Sequence, residues 1–124
     1  GRILLAEDNE LNQEIATAIL EEAGFLVEVA KDGQTAVDMV KNSEPDYYRV
    51  VLMDVQMPVM GGYEATRTIR GLEDKKQASI PIVAMTANAF DEDRMEALDA
   101  GMNGYLVKPL DLTMLISALK SLDG

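Results

Sequence analysis

The chain has 124 residues, 48% of them hydrophobic, with no cysteine, no histidine and a formal net charge of −11. This size suits one domain spanning residues 1–124 with a packed core, and the missing residue types exclude disulfides, thiolate nucleophiles, serine–histidine triads, histidine metal sites and a phosphohistidine carrier. The acidic surface repels phosphate backbones, so no direct nucleic-acid binding is expected. No apolar stretch is long enough to span a bilayer and no signal-peptide pattern is present, so no membrane contact and a cytoplasmic domain are expected, whatever anchors a parent protein.

Ile3 to Ala6 is a short apolar run and reads as a first strand. A helix follows near Glu10 to Ala23, with Leu11, Ile15, Ala18, Ile19 and Ala23 at helical spacing, Asn9 as its N-cap and Gly24 as its stop. Phe25 to Ala30 carries a charge and reads as an edge strand. Lys31-Asp32-Gly33 signals a turn before a second helix bearing Ala36, Val37, Met39 and Val40. Val50 to Met53 is the most apolar run and reads as the central strand. Met57 to Gly62 forms a loop into a third helix, Tyr63 to Arg70, and Gly71 to Ser79 is polar and expected to be mobile. Ile82 to Met85, Asp91 to Ala100, Tyr105 to Val107 and Leu110 to Leu122 complete the alternation as strand, helix, strand and helix. Five βα units with no composition break predict an α/β fold: a doubly wound, flavodoxin-like five-stranded parallel sheet of order 2-1-3-4-5.

In such a sheet the carboxyl ends of the strands share one edge, where open α/β folds bind ligands. Asp8, Asp54, Thr86 and Lys108 each stand just past a strand there. Singly, each has an ordinary reading: a loop acid, a strand-end acid, a turn residue, a surface lysine. Jointly they are harder to dismiss. Strands one and three are neighbours in this order, so Asp8 and Asp54 come together, and like charges that close need a counter-ion. Lys108 supplies one positive charge, and oxygen-only ligands favour a hard divalent cation such as Mg²⁺. Asp8 and Asp54 are candidate direct ligands, Glu7 a ligand through water, and the backbone carbonyl of Gln56 completes the set. Asp54 is then a candidate nucleophile forming an acyl phosphate, with metal, ammonium and hydroxyl stabilising the transferring group. No general base is needed, because carboxylic side chains ionise well below neutral pH. An X-Pro bond after Lys108 can be cis at modest cost, which would fix the direction of the lysine.

These residues give the chain a strong resemblance to the receiver domains of two-component response regulators, over essentially its whole length. The resemblance rests on Glu7-Asp8, on Leu52 to Pro58 followed by Gly61-Gly62, on Met85-Thr86-Ala87 and on Lys108-Pro109. The stretches Glu7 to Gln13, Gln56 to Met60 and Ala100 to Pro109 look most like receivers of hybrid sensor histidine kinases. It implies phosphorelay signalling in which Asp54 accepts a phosphoryl group from a phosphohistidine on a histidine kinase or histidine phosphotransfer domain, with Mg²⁺ held through Glu7, Asp8 and Asp54. It implies that Lys108 and Thr86 contact the phosphoryl oxygens and that Tyr105 is an aromatic switch following Thr86. It places Gln56 and Asn88 beside the path of the hydrolytic water. It implies self-catalysed phosphorylation and dephosphorylation rather than turnover, in a parent that is a hybrid kinase or a response regulator. Leu11, Ile15 and Pro109 are candidate docking residues for a phosphotransfer domain. Met95, Leu98 and Tyr105 mark an implied output or homodimer face. Two departures stand out: Gly61 where many members have an acid, and Glu7 where many have aspartate.

Two other classes fit less well. A flavodoxin-like electron carrier wants a Ser/Thr/Gly-rich phosphate loop after the first strand, and Glu7-Asp8-Asn9-Glu10 has the wrong charge. A phosphatase of the haloacid dehalogenase class needs an acid two residues after its nucleophile, where this chain has Gln56. A receiver that only binds partners would lack site residues that are all present here.

Overall fold

β3 (Val50–Asp54) is buried at every position, which its neighbours in the sheet explain. β1 (Arg2–Ala6) flanks it on one side and β4 (Ile82–Thr86) on the other, with β2 (Leu26–Ala30) beyond β1 and β5 (Gly104–Val107) beyond β4. All pairings are parallel, and the order is β2-β1-β3-β4-β5, as the sequence predicts. The structure is a computed structural model describing residues 1–87, 91–108 and 110–123.

Successive residues of a strand point to opposite faces, and both faces are covered. Leu4, Ala6, Val51, Met53, Ile82 and Ala84 pack with residues of α2 (Gly33–Asn42), α3 (Gly62–Arg70) and α5 (Asp91–Ala100). Ile3, Leu5, Val50, Leu52, Val83 and Met85 pack with Ala16 and Leu20 of α1 (Glu10–Glu22) and with Leu115 and Leu119 of α6 (Leu112–Asp123). Continuous apolar runs are what a doubly covered parallel sheet requires. Leu4, Leu5 and Leu52 are fully buried, and burial of such a side chain stabilises by roughly 1.5–3 kcal/mol. β2 is the more exposed edge strand, and Glu28 lies on it.

Local signals set the helix ends. Asn9 Oδ1 accepts from the Asn12 N–H at 3.0 Å and starts α1. Gly24 (φ +94°) takes the left-handed conformation just beyond the end of α1, which costs glycine little. Asp32 caps α2 by accepting from the Thr35 N–H at 2.7 Å.

The polar stretch Gly71 to Ser79 is not a featureless loop. It contains a short helix, α4 (Lys75–Ala78), capped by Asp74, whose Oδ1 accepts from Lys76 N at 2.9 Å and Gln77 N at 3.0 Å. Arg70 locks it down, donating to the Ala78 and Ile80 carbonyls at 2.7 and 2.8 Å. An apolar pattern is too sparse to announce a single helical turn, and the order here comes from a cap and a distant guanidinium.

Candidate functional site

Pairing of β1 with β3 puts Ala6 beside Met53, so the residues that follow each strand emerge together at the carboxyl edge. Glu7 is anchored first. Its N–H donates to the Ala30 carbonyl at 2.9 Å, and its own carbonyl accepts from Gln13 Nε2 at 2.6 Å. Its carboxylate is buried, with Oε2 accepting from Asn9 N at 3.2 Å. Asp54, also buried, accepts at Oδ1 from Gln56 N at 3.1 Å. Asp8 is exposed. One carboxylate oxygen from each of Glu7, Asp8 and Asp54 can be chosen so that all lie within 4.8 Å of one another.

Lys108 arrives from the opposite side. Its N–H donates to the Thr86 carbonyl at 2.7 Å, tying it to the end of β4. Its ammonium bridges the two buried acids, 2.8 Å from Glu7 Oε1 and 3.0 Å from Asp54 Oδ2. Burial is the largest single influence on this amine and disfavours its charge. The hydrogen bonds and charges of Glu7 and Asp54 together outweigh it and hold the ammonium's pKa above its ordinary value. A buried carboxylate without such a partner would be costly.

Glu7, Asp8, Asp54, Gln56, Ala87 and Lys108 line a cleft of about 230 Å³. A larger groove of about 420 Å³ lies at the opposite edge, but it is lined by Lys76, already paired with Asp46 at 3.2 Å, and gathers no comparable set of acids. The chemistry, not the size, marks the acidic cleft. Three carboxylates face one bridging ammonium, and all the donors are oxygens, the set a hard divalent cation such as Mg²⁺ prefers. The residues present fit that ion.

Of the predicted site residues, Glu7, Asp8, Asp54, Gln56 and Lys108 meet in the cleft. Thr86 does not line it; it ends β4 as a buried residue, across from Val107. Tyr105 is half-buried on β5, across from Ala84, on the same face of the sheet as Thr86. Asn88 and Pro109 lie outside the described residues. Leu11, Ile15, Met95 and Leu98 are exposed.

The family profile of the response regulator receiver domain matches residues 3–120. The chain belongs to this family. Histidine kinase 1 of Arabidopsis thaliana is 39% identical to the receiver over 98% of this chain, and hybrid signal transduction histidine kinase I of Dictyostelium discoideum is 37% identical over 97%. The receiver spans only 12% and 7% of the length of those curated relatives. Among solved structures, the receiver domain of a sensor histidine kinase from Pseudomonas aeruginosa, with a magnesium ion coordinated in its active-site cleft, is 42% identical. It superposes with a TM-score of 0.85, covering 96% of this chain and 93% of that one. The chemotaxis protein CheY4 of Vibrio cholerae is 29% identical, with a TM-score of 0.84 over 97% of this chain and 96% of that one.

The structure gives residues of the motif stretches a positioning role that their place in the sequence does not state. Gln13 and the Asn9 N–H, both within the stretch Glu7 to Gln13, position Glu7. Gly62 lets α3 begin against the end of β3, because a Cβ there would fall on the Asp54 carbonyl oxygen. Among the described residues, no helix is long and apolar enough to cross a membrane.

Proposed function

We propose that this receiver is the phosphoacceptor of a phosphorelay, taking a phosphoryl group from a phosphohistidine on a histidine kinase or phosphotransfer domain onto Asp54 in the presence of Mg²⁺. The observation that carries the reading is Lys108 bridging Glu7 and Asp54 beside exposed Asp8. Magnesium held in the related Pseudomonas receiver supports it.

Glu7, Asp8 and Asp54 would hold the ion, with the Gln56 carbonyl as a further ligand. When bound, Mg²⁺ supplies charge neutralisation for the phosphoryl oxygens. Asp54 Oδ attacks phosphorus in line, the bond to the donor imidazole nitrogen breaks, and that nitrogen keeps the electron pair. The carboxylate needs no deprotonation step. Lys108, already at the Asp54 carboxylate, would neutralise the new charge, a preorganised contact of the kind that lowers such barriers. The Thr86 hydroxyl would turn to the phosphoryl group and Tyr105 would follow, changing the surface formed by α5, β5 and α6. Gln56 and Asn88 would tune access of the hydrolytic water. Leu11 and Ile15 on α1 would help dock the donor. The parent would be a hybrid histidine kinase or a response regulator.

The test is intact-mass analysis after exposure to acetyl phosphate with Mg²⁺. The wild type gains one phosphoryl group, Asp54→Asn gains none, and omission of Mg²⁺ abolishes the gain. Undiminished labelling of Asp54→Asn would overturn the assignment.

A further inference from the structure

Tyr105 sits over the cluster beneath α3 and α5, on the face it shares with Thr86. Over its ring stands the guanidinium of Arg94, from the beginning of α5, with Cζ 5.4 Å from the ring centroid. A guanidinium within about 6 Å of an aromatic centroid is attracted by the ring's negative face. Arg94 is exposed, so this is a solvent-side contact of modest strength. The helix that bears it is tied to α3 by Tyr63, whose hydroxyl donates to the Asp93 carbonyl at 3.4 Å. A ring that moves along the sheet face toward Thr86 changes its position relative to a guanidinium carried on α5. Such an interaction differs between the two ring positions, and only a differential interaction shifts an equilibrium.

We infer that Arg94 is a positioning residue for Tyr105, holding the ring in its half-buried position and setting the threshold that inward movement must overcome. The inference rests on the reading of Tyr105 as a ring that moves when Asp54 is phosphorylated. Loss of the cation should raise the inward population of the unphosphorylated chain by roughly two- to fivefold, the equilibrium equivalent of an exposed cation–π contact.

The experiment reads the χ1 populations of Tyr105 from three-bond couplings in the whole chain carrying labelled tyrosine, before and after Mg²⁺ and acetyl phosphate. The four tyrosines are assigned by Tyr→Phe replacements. Arg94→Met keeps the stem without the charge, and Arg94→Lys keeps a cation. The expected result is that Arg94→Met shifts Tyr105 toward its phosphorylated population before any donor is added, while Arg94→Lys stays nearer wild type. A role confined to the stability of α5 would not follow the charge in this way. Unchanged populations in Arg94→Met, with acetyl phosphate still moving the ring in every variant, would overturn the role of Arg94 and leave the mobile-ring reading standing. Labelled Asp54 with an unmoved Tyr105 in every variant would overturn the mobile-ring reading, and this inference with it.

Discussion

Lys108 Nζ lies 3.0 Å from Asp54 Oδ2 and reaches it from the far side of the sheet, 54 residues along the chain. The same ammonium is 2.8 Å from Glu7 Oε1. One lysine thus compensates two buried carboxylates in a cleft that also holds exposed Asp8. Its raised pKa means that its contribution to stability is complete below the ordinary lysine value of 10.5 and is lost only as the pH rises through the folded value. The lysine stays charged across the neutral range.

Lys108→Met should expose the charge imbalance of the cleft. Removing one partner of a buried pair leaves the other uncompensated, a cost that reaches about 3–5 kcal/mol when burial is complete and less here, where the lysine retains some exposure. A cation that binds the folded state stabilises it by mass action. Mg²⁺ should therefore raise the melting temperature of Lys108→Met by more than it raises that of the wild type. Thermal melts of both proteins with and without Mg²⁺ decide this; an equal increment in both would show that Lys108 and the ion do not serve the same carboxylates.

Gly62→Ala should damage the site, whereas Gly71→Ala, at the other end of the same helix, should be nearly harmless. A Cβ on Gly62 would fall on the Asp54 carbonyl oxygen and crowd Val55. At Gly71 the nearest atom would be the Thr68 carbonyl oxygen at 3.6 Å, an ordinary contact. Overpacking costs about 1–3 kcal/mol, while alanine at a compatible glycine position can stabilise by about 0.4–1 kcal/mol. Urea unfolding measures both, and acetyl phosphate labelling should fall only for Gly62→Ala. Equal stability of the two variants would mean that α3 can pull away from β3 at no cost.

The contrast between these glycines shows what the sequence can and cannot convey. The strands were legible because Ile3 to Ala6, Val50 to Met53 and Ile82 to Met85 are continuous apolar runs, which a sheet covered on both faces demands. The cleft acids were legible because parallel strands bring their ends to one edge. The motif Gly61-Gly62 sets Gly62 apart from Gly71 in the sequence but does not show the reason for it, which lies in the carbonyl each glycine faces. The single turn α4 was hidden for a related reason: its order depends on Arg70, whose acceptors lie at Ala78, Ile80, Gly101 and Asn103. Long-range polar contacts of this kind leave no periodic trace. The strand-end position of Thr86 is legible in the same way, whereas its burial depends on packing that the sequence does not display.

Arg70→Lys should behave as a drastic change rather than a conservative one. The planar guanidinium donates to four acceptors, and one of them, Asn103 Oδ1, also takes the Ile82 N–H at 2.9 Å at the start of β4. A lysine ammonium cannot reproduce that fork. Burial disfavours the charge of Arg70 and lowers its pKa, so its stabilising role comes from these hydrogen bonds. Loss of several charged hydrogen bonds should cost about 2–4 kcal/mol, read as a lower urea midpoint. Because these contacts lie at the amino edge of the sheet, Asp54 labelling by acetyl phosphate should persist at temperatures where the variant is folded. Wild-type stability would show that the acceptors are satisfied by water instead.

Asp32 offers a pH-dependent test of the same sheet from a helix end. Its Oδ1 accepts the Thr35 N–H at 2.7 Å, and that backbone hydrogen bond is the main reason its pKa lies below the ordinary 3.8. A carboxylate with a lowered folded pKa contributes stability that is complete above the unfolded value and is lost as the pH falls through the folded one. Asp32→Ala should therefore cost about 1 kcal/mol at neutral pH, and the gap to wild type should narrow only in acid, below about pH 3.8. Asp32→Asn keeps the cap acceptor without the charge, so its stability relative to wild type should improve over the same acid range. Urea unfolding from pH 7 down to the lowest pH at which the chain folds follows both gaps. If the Asp32→Ala gap stayed constant throughout, the carboxylate would be acting as a neutral acceptor and α2 would draw nothing from its charge.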